Sequence, residues 1–358
     1  MLFYLTIVFN IIRCVDTILF TIFYCYLGYL AYFITDYLPN NRIKILIFYF
    51  LKTFIFNVLW TANGLALTDK YFVCLNKNFT KINKPNNLII SNHINDYDWL
   101  YITKSISTIN NNNFNFVVKS DLLKIPVVGF VMKKFGFVGI NRETKVNEFN
   151  MINSTLKDNF NLILYPEGSV THYRGVVDGN LFALNNTILV NNRILKTTDV
   201  IVPRTKGFKY LFYDLFEKIN ILDFTILTNP YKKYLCGFRR HKQFWITKKY
   251  SSSIICIIDY HDITKIEKPD DFLYRSFYEK RLLFKKYKKL NRTKITSLKE
   301  FYTKMKKINL TEDKYTYYEI SFLNEFSFIL YKVYFNILMR LFKYLIKYKR
   351  VKKYNKVN

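Results

Sequence analysis

The chain has 358 residues, half of them hydrophobic and 19% aromatic, and its 55 lysines and arginines exceed its 26 aspartates and glutamates by 29. Such an excess predicts a polyanionic partner: an anionic membrane surface, phosphate-bearing ligands or nucleic acid. The polar composition and reader motif typical of nucleic-acid binders are absent, and the cations alternate with aromatic and aliphatic residues, which favours the membrane surface.

The cysteines and histidines give no sign of a metal site. None of the five cysteines belongs to a Cys-x-x-Cys pair, and the four histidines are dispersed. This pattern argues against a zinc site or a disulfide framework and is typical of thiols kept reduced on the cytosolic side.

The N-terminal region, residues 1–67, is predicted to anchor the chain in a membrane. Thr17–Thr35 carries no charge and is about long enough to cross a bilayer core of roughly 30 Å. A signal peptide is the alternative, but a basic start and a small-residue cleavage site are lacking, and Arg13 and Asp16 interrupt the beginning. A second apolar run, Ile45–Leu67, contains only one charge, at Lys52, and either spans the membrane or lies in its interface.

A catalytic domain is predicted over residues 68–290, where short apolar strands alternate with polar turns and helical stretches such as Lys145–Asn159. This alternation predicts an α/β sheet with both faces covered, and ligands of such sheets bind at the carboxyl ends of strands. The predicted strands are Leu88–Ser91, Phe116–Ser120, Gly136–Asn141, Leu162–Tyr165 and Val200–Pro203.

The C-terminal region, residues 291–358, is basic and ends in a predicted helix. Its polar residues recur every three or four positions and form one stripe, while apolar residues fill the remaining surface. We expect an interfacial or membrane helix, and the alternative is a soluble amphipathic helix packed on the core. The stripe consists of Lys332, Asn336, Arg340, Lys343 and Lys347.

The main candidate for catalysis is the segment Ser91–Leu100, which reads SNHINDYDWL directly after a predicted strand. His93 could act as a general base near neutral pH if a carboxylate oriented its ring. Asp98 lies five residues on, about 140° away around a helix, so it reaches His93 only if the chain turns before the helix begins. Asp96 would be the better partner if the helix began at His93, and spacing leaves both carboxylates open.

Three further motifs each follow a predicted strand. Arg142 ends the block FGFVGINRE, and arginine is well suited to binding phosphate. Proline and glycine in the block LYPEGS set a tight turn that presents Glu167 beside Gly168. The block PRTKGF places Pro203 before two cations, Arg204 and Lys206, which could hold a phosphate together. Each block alone could be an ordinary turn or strand end.

In this order, the four blocks resemble the glycerolipid acyltransferase family over residues 91–208. Asn92-His93-x4-Asp98-Trp99-Leu100 is similar to the His-x4-Asp signature of the branch that includes 1-acylglycerol-3-phosphate and lysocardiolipin acyltransferases. The resemblance implies an acyltransferase-type α/β domain with Asp98 as the partner of His93. It also implies that Arg142, Pro203, Arg204 and Lys206 bind the acceptor phosphate, and that Glu167 and Gly168 bind the acceptor glycerol and shape the pocket. Val170 stands where the family often has arginine.

The function that the resemblance implies is transfer of an acyl group from acyl-CoA to the hydroxyl of a lysophospholipid, most directly 1-acyl-sn-glycerol-3-phosphate. Transfer would be direct, without a covalent enzyme intermediate and without a metal or redox cofactor. The alternatives are remodelling of another lysophospholipid, such as lysophosphatidylinositol or lysocardiolipin, and an inactive lipid-binding protein. We expect membrane lipids as partners, no nucleic acid, and an integral protein of the endoplasmic reticulum membrane.

Overall fold

The computed structural model describes residues 41–66, 70–81, 85–109, 113–125, 128–140, 159–215, 219–229, 231, 253–290 and 295–321, with separate positions within 15–37 and 323–337. The chain divides into two compact units, Lys70–Ile320 and a smaller unit of Met1–Asp69 with Ser321–Asn358. Several predicted features lie outside the described residues: Arg142, the predicted helix over Lys145–Asn159 except its last residue, and Arg340, Lys343 and Lys347 of the basic stripe.

Helices and strands alternate along the larger unit. The strands are β1 (Lys70–Asn76), β2 (Asn86–Ser91), β3 (Phe114–Lys119), β4 (Val138–Ile140), β5 (Asn161–Leu164), β6 (Leu189–Val190), β7 (Arg193–Ile194), β8 (Ile219–Asn229), β9 (Ser253–His261) and β10 (Tyr315–Ser321). The helices are α1 (Asn41–Ala66), which belongs to the smaller unit, then α2 (Asp98–Ile109), α3 (Val128–Lys134), α4 (Tyr173–Asn185), α5 (Thr205–Asp214), α6 (Pro269–Leu290) and α7 (Leu298–Lys306).

Eight of these strands form one mixed sheet in the order β10-β1-β9-β8-β2-β5-β3-β4. Strands β8, β2, β5, β3 and β4 run parallel to one another, whereas β9 pairs with β8 in the antiparallel sense and with β1 in the parallel sense. Every residue of β2, β5 and β8 is buried, as expected for central strands covered on both faces. The predicted α/β class is confirmed.

Four of the five predicted strands overlap β2, β3, β4 and β5, but the strand predicted over Val200–Pro203 is wrong. This segment is buried, yet its backbone bonds to a loop. The Ile201 amide donates to the Glu167 side chain, and just after the segment the Arg204 amide donates to the Pro166 carbonyl. An apolar run predicts burial, which is correct here, but it does not reveal where the backbone donors are directed.

The larger unit continues beyond residue 290, where the sequence places the end of the catalytic domain. Strand β10 extends the sheet beside β1, and Phe301 of α7 stacks on Phe72 of β1 with ring centroids 5.0 Å apart. Most side chains of β10 are exposed or half-buried. The other strands were predicted from continuous apolar runs. An edge strand of this kind has no such run, so the sequence pattern did not reveal it.

The smaller unit has its own apolar cluster. Side chains from three parts of the chain form it: Phe20 and Tyr24, Val58 and Ala62 of α1, and Leu330 and Tyr334. The Tyr24 hydroxyl donates to the Leu330 carbonyl at 2.6 Å. Residues 327–330 and 332–337 are helical, within the segment where the sequence predicts an amphipathic helix. In the part of the chain that the structure describes, no helix combines the length and apolar character needed to cross a membrane.

Candidate active site

The site lies where the adjacent parallel strands β2 and β5 end. Ile90 of β2 is in register with Leu164 of β5, so the loops that follow these residues leave the sheet at the same edge. His93 lies in the first loop and Glu167 in the second. The carboxyl ends of parallel strands are the usual ligand-binding edge of such sheets.

The loop after β2 turns sharply before α2 begins. The Asn92 side chain accepts a hydrogen bond from the Ile226 amide (2.8 Å) and donates to the Ile226 carbonyl (3.0 Å), which fixes the end of β2 to β8. The Asn95 side chain then accepts from the Tyr97 amide at 2.7 Å, the pattern of an Asx turn. Helix α2 starts at Asp98. The chain therefore changes direction between His93 and Asp98, as the five-residue spacing requires.

Asp98, rather than Asp96, contacts His93. Asp98 Oδ2 lies 3.1 Å from His93 Nδ1 and also accepts from the backbone amides of Ile94 (2.6 Å) and Asn95 (3.0 Å). Asp98 is fully buried, whereas Asp96 is exposed. Burial raises the pKa of the Asp98 carboxyl, and its hydrogen bonds from His93, Asn95 and Ile94 act in the opposite direction.

The His93 ring is held between a carboxylate and an aromatic plane. It stacks on the Tyr165 ring, with centroids 4.1 Å apart and an interplanar angle of 18°. If Nδ1 carries the proton donated to Asp98, Nε2 is the ring nitrogen that can accept another. The side chain is 18% exposed. His93 is thus fixed in orientation and reachable from solvent.

Glu167 joins three segments of the chain. Its Oε1 accepts from the His93 amide at 2.9 Å, and its Oε2 accepts from the Ile201 amide at 2.9 Å and the Thr171 hydroxyl at 2.7 Å. The residue is only 2% exposed. Burial raises the pKa of the Glu167 carboxyl to about 7.

Thr171 holds the other side of the His93 peptide. Its amide and its hydroxyl lie 2.6 Å and 2.9 Å from the His93 carbonyl oxygen. Together with Glu167, it fixes the main chain of His93 at both its donor and its acceptor. The sequence analysis missed Thr171 and Tyr165. Tyr165 had a visible signal, because it is an aromatic residue directly before the turn Pro166-Glu167-Gly168. Nothing in the sequence marked Thr171, which is 78 residues from its partner.

The predicted cations lie beside the turn after β5. The Arg204 amide donates to the Pro166 carbonyl at 2.9 Å, and a methyl group placed on Gly168 would lie 3.6 Å from Arg204 Nε. Gly168 has a φ of +72°, a conformation that favours glycine. Arg204 and Lys206 are exposed at the start of α5, and Pro203 before them is buried. The structure thus brings His93, Asp98 and Glu167 together, with Gly168 and Arg204 beside them.

The chain is similar to known acyltransferases over its central part. The family model described as Acyltransferase matches residues 74–228. A probable 1-acyl-sn-glycerol-3-phosphate acyltransferase of Arabidopsis thaliana is 32% identical over 127 residues, which are 34% of this chain and 32% of the relative. An uncharacterized acyltransferase of Schizosaccharomyces pombe is 28% identical over 110 residues, 29% of this chain and 31% of the relative. The matches cover about a third of the length of these two curated relatives.

A solved structure is also similar. The crystal structure of the 1-acyl-sn-glycerophosphate acyltransferase PlsC from Thermotoga maritima has a TM-score of 0.47 and 13% sequence identity, covering 78% of this chain and 97% of that one. The matched region 74–228 contains the loops after β2 and β5, with His93, Asp98 and Glu167, and the segment that leads to Arg204. Over residues 74–228 the chain therefore has an acyltransferase domain, and this domain is similar to that of a probable glycerolipid acyltransferase.

Proposed function

We propose that the protein is an acyl-CoA-dependent acyltransferase that esterifies the free hydroxyl of a lysophospholipid. The proposed acceptor is 1-acyl-sn-glycerol-3-phosphate, which would give phosphatidic acid. The observation that carries the proposal is the contact between His93 Nδ1 and Asp98 Oδ2, at 3.1 Å, on the ligand-binding edge of the sheet in a domain of this family. The proposed acceptor is the one for which the Arabidopsis relative is named.

In the proposed reaction, His93 acts as the general base. Its Nε2 removes the proton from the acceptor hydroxyl as that oxygen attacks the thioester carbonyl of acyl-CoA. An oxygen–carbon bond forms and the carbon–sulfur bond breaks. The proton held by His93 then passes to the departing CoA sulfur. No group of the enzyme becomes acylated, and the acyl group moves directly from donor to acceptor.

The neighbours of His93 suit this role. Asp98 would stabilise the imidazolium that forms when Nε2 takes the proton, and the stacked Tyr165 ring would hold the imidazole plane and favour its positive charge. Glu167 and Thr171 fix the histidine backbone, so little rearrangement is needed as the proton moves. We therefore assign Glu167 to positioning the loop and shaping the pocket together with Gly168.

We further propose that Arg204 and Lys206, preceded by Pro203, bind the acceptor phosphate with the help of Arg142. Arg204 lies beside the turn that carries Glu167, and both Arg204 and Lys206 are exposed to an incoming anion. Acyl-CoA serves as co-substrate, and the proposed chemistry requires no metal or redox cofactor. We place the enzyme in the endoplasmic reticulum membrane, attached through its apolar N-terminal and basic C-terminal segments.

One residue is the reason for proposing a second class of acceptor beside 1-acyl-sn-glycerol-3-phosphate. Val170 occupies a place where the family often has arginine, so one cation toward the acceptor is missing. Lysophosphatidylinositol or lysocardiolipin is the alternative acceptor, and the chemistry at His93 would be the same.

The experiment is a transfer assay with purified full-length protein, radiolabelled acyl-CoA and a panel of lysophospholipids. We expect labelled phosphatidic acid from 1-acyl-sn-glycerol-3-phosphate and a lower rate with every other acceptor. A higher rate with lysophosphatidylinositol or lysocardiolipin would replace the acceptor while keeping the mechanism. The Asp96→Asn variant serves as the active control, and absence of label in every phospholipid would refute the proposed function.

A further inference from the structure

Helix α4 is packed against the core along one face only. Val176 and Ala183 on this face are buried. Gly175 and Gly179 lie close to the segment at 201–202: an added Cβ would stand 2.7 Å from Ile201 Cδ1 at the first and 3.1 Å from the Val202 amide nitrogen at the second. The glycines let the helix approach this segment closely. A helix packed in this way normally presents polar side chains to solvent on its other face.

The solvent side of α4 carries an apolar stripe beside the polar residues Arg174, Asp178 and Asn185. Tyr173, Val177, Leu181 and Leu184 follow one another at steps of four, four and three residues, so they share a stripe about 80° wide. All four are exposed, with Tyr173 at 70% and Leu181 at 53%. Large apolar side chains gathered on one face mark an interaction site more often than single exposed ones do.

The hairpin of β6 and β7, which follows α4 in the chain, exposes further apolar side chains. Its turn residues Asn191 and Asn192 have φ angles of 51° and 58°, as in the tight turns that favour asparagine. Val190 packs in the same cluster as Ala183 of α4, whereas Leu189 and Ile194 pair across the hairpin and are both exposed. A hairpin this short is not stable alone, and its inner side packs against Ala183 of α4. Its outer side exposes Leu189 and Ile194.

Charges on this helix and hairpin are mostly positive. Between residues 173 and 196 the charged residues are Arg174, Arg193 and Lys196 against Asp178, a net charge of 3 − 1 = +2. The three cations are exposed, and Arg174 lies 3.7 Å from Asp178. Apolar side chains bordered by arginine and lysine, on a chain with a net charge of +29, complement a bilayer with anionic headgroups better than an acidic or polar protein surface.

We propose that this outer apolar face, formed by Tyr173, Val177, Leu181, Leu184, Leu189 and Ile194, docks on the surface of an anionic lipid bilayer. Helix α4 begins two residues after Thr171, whose amide and hydroxyl hold the His93 carbonyl. Docking by this face therefore brings the His93 loop to the membrane surface. The inference deepens the proposed function and rests on it, because it states how the site reaches an acceptor that resides in a bilayer.

The test places a tryptophan on the face and measures its contact with acyl chains. Leu181→Trp is made in the full-length protein, and Leu298→Trp, at an exposed leucine of α7, is the matched control. Each variant is reconstituted into vesicles that contain anionic lipid, with or without brominated acyl chains. The emission of the parent protein is subtracted. We expect bromine to quench most of the added emission at position 181 and little of it at position 298.

A second part of the experiment tests the contribution of the positive charges. Replacing Arg193 and Lys196 together by glutamate should weaken the quenching at position 181 in anionic vesicles. Emission at position 181 that is insensitive to bromine would overturn the proposal, as would equal quenching at positions 181 and 298. Quenching requires no acyl transfer, so the two proposals fail separately. An inactive protein quenched at 181 would refute the enzyme function alone, and an active protein unquenched there would refute the docking face alone.

Discussion

The two ends of the central parallel strands are both buried and polar, yet they are built differently. At the amino ends, Asn87 of β2 is in register with Asn161 of β5 and Asn220 of β8. The Asn87 amide donates to Asn161 at 2.7 Å, and the Asn220 amide donates to Asn87 at 3.2 Å. These three residues form an asparagine ladder across three strands, bonded side chain to side chain.

At the carboxyl ends, side chains bond mainly to the backbone of a neighbouring loop. Glu167 and Thr171 bind the His93 main chain, Asp98 binds two amides as well as the His93 ring, and the His93 side chain stays partly exposed. The asparagine ladder stabilises register and is closed to solvent, whereas the loops leave one proton acceptor exposed. Burial and polarity alone therefore do not locate the chemistry. What distinguishes the candidate active site is a partly exposed histidine ring whose neighbours are fixed.

Of the substitutions suggested by this comparison, the one at His93 should have the largest effect on the acyl transfer rate. His93→Ala should lower acyl transfer by about 10² to 10⁴-fold, because the general base is lost. The measurement is the initial rate of labelled phospholipid formation at matched protein and membrane content. Thermal unfolding should change little, since Asp98 keeps its bonds to the two amides. A rate near that of the parent would show that another group removes the proton.

The next effect distinguishes the two carboxylates near His93. Asp98→Asn should lower kcat by about 10²-fold, because an amide can hold the ring but cannot stabilise its positive charge. Asp96→Asn, at the exposed residue two positions earlier, should stay within a few-fold of the parent. The same kinetic assay on matched preparations measures both. If Asp96→Asn were the more damaging change, the turn before α2 would not have the described form in the working enzyme.

Glu167 should make stability depend on pH. Its pKa rises from an ordinary 4.5 to about 7 on folding, so the folded protein binds this proton more tightly than the unfolded chain does. The resulting stabilisation is complete below about pH 4.5 and declines as pH rises through 7, by about 3 kcal/mol in total. Denaturant unfolding at pH 5 and pH 8 measures the decline in the parent and in Glu167→Gln, which cannot ionise. An equal decline in both proteins would contradict this assignment.

The smallest effect on catalysis is expected at the asparagine ladder. Asn87→Ala should cost about 1 to 3 kcal/mol of unfolding free energy, because it removes the side-chain hydrogen bonds between Asn87 and buried residues of β5 and β8. The transfer rate per folded molecule should remain that of the parent. The two readouts are denaturant unfolding and the rate corrected for the folded fraction. A large loss of kcat with unchanged stability would place the amino ends of the strands in the chemistry.

Local sequence patterns predicted the strands that position the site, because β2 and β5 are short apolar runs followed at once by polar residues. They could not choose between Asp96 and Asp98. Helical periodicity does not describe a turn, and this one is set by the Asn95 side chain and by the bonds from Asn92 to distant β8. The family resemblance supplied the choice of Asp98, and the contact at 3.1 Å agrees with it.

Contacts between residues far apart in sequence were the least predictable. Thr171 acts on a carbonyl 78 residues earlier, and Val200–Pro203 is an apolar run in which the Ile201 amide binds a loop side chain instead of a strand. In both cases the hydrogen-bond partner is fixed by the packing of the sheet. A run of residue types contains no information on such a partner until the sheet order is known.

The most direct test of the central claim is a single-turnover experiment with labelled acyl-CoA, excess full-length enzyme and 1-acyl-sn-glycerol-3-phosphate, quenched in acid at successive times. The proposed role of His93 predicts that label leaves acyl-CoA and enters phosphatidic acid at the same rate, with none bound to the precipitated protein, and that His93→Ala slows both processes together. Label that accumulates on the protein before it appears in lipid, or transfer by His93→Ala at the parent rate, would contradict the claim.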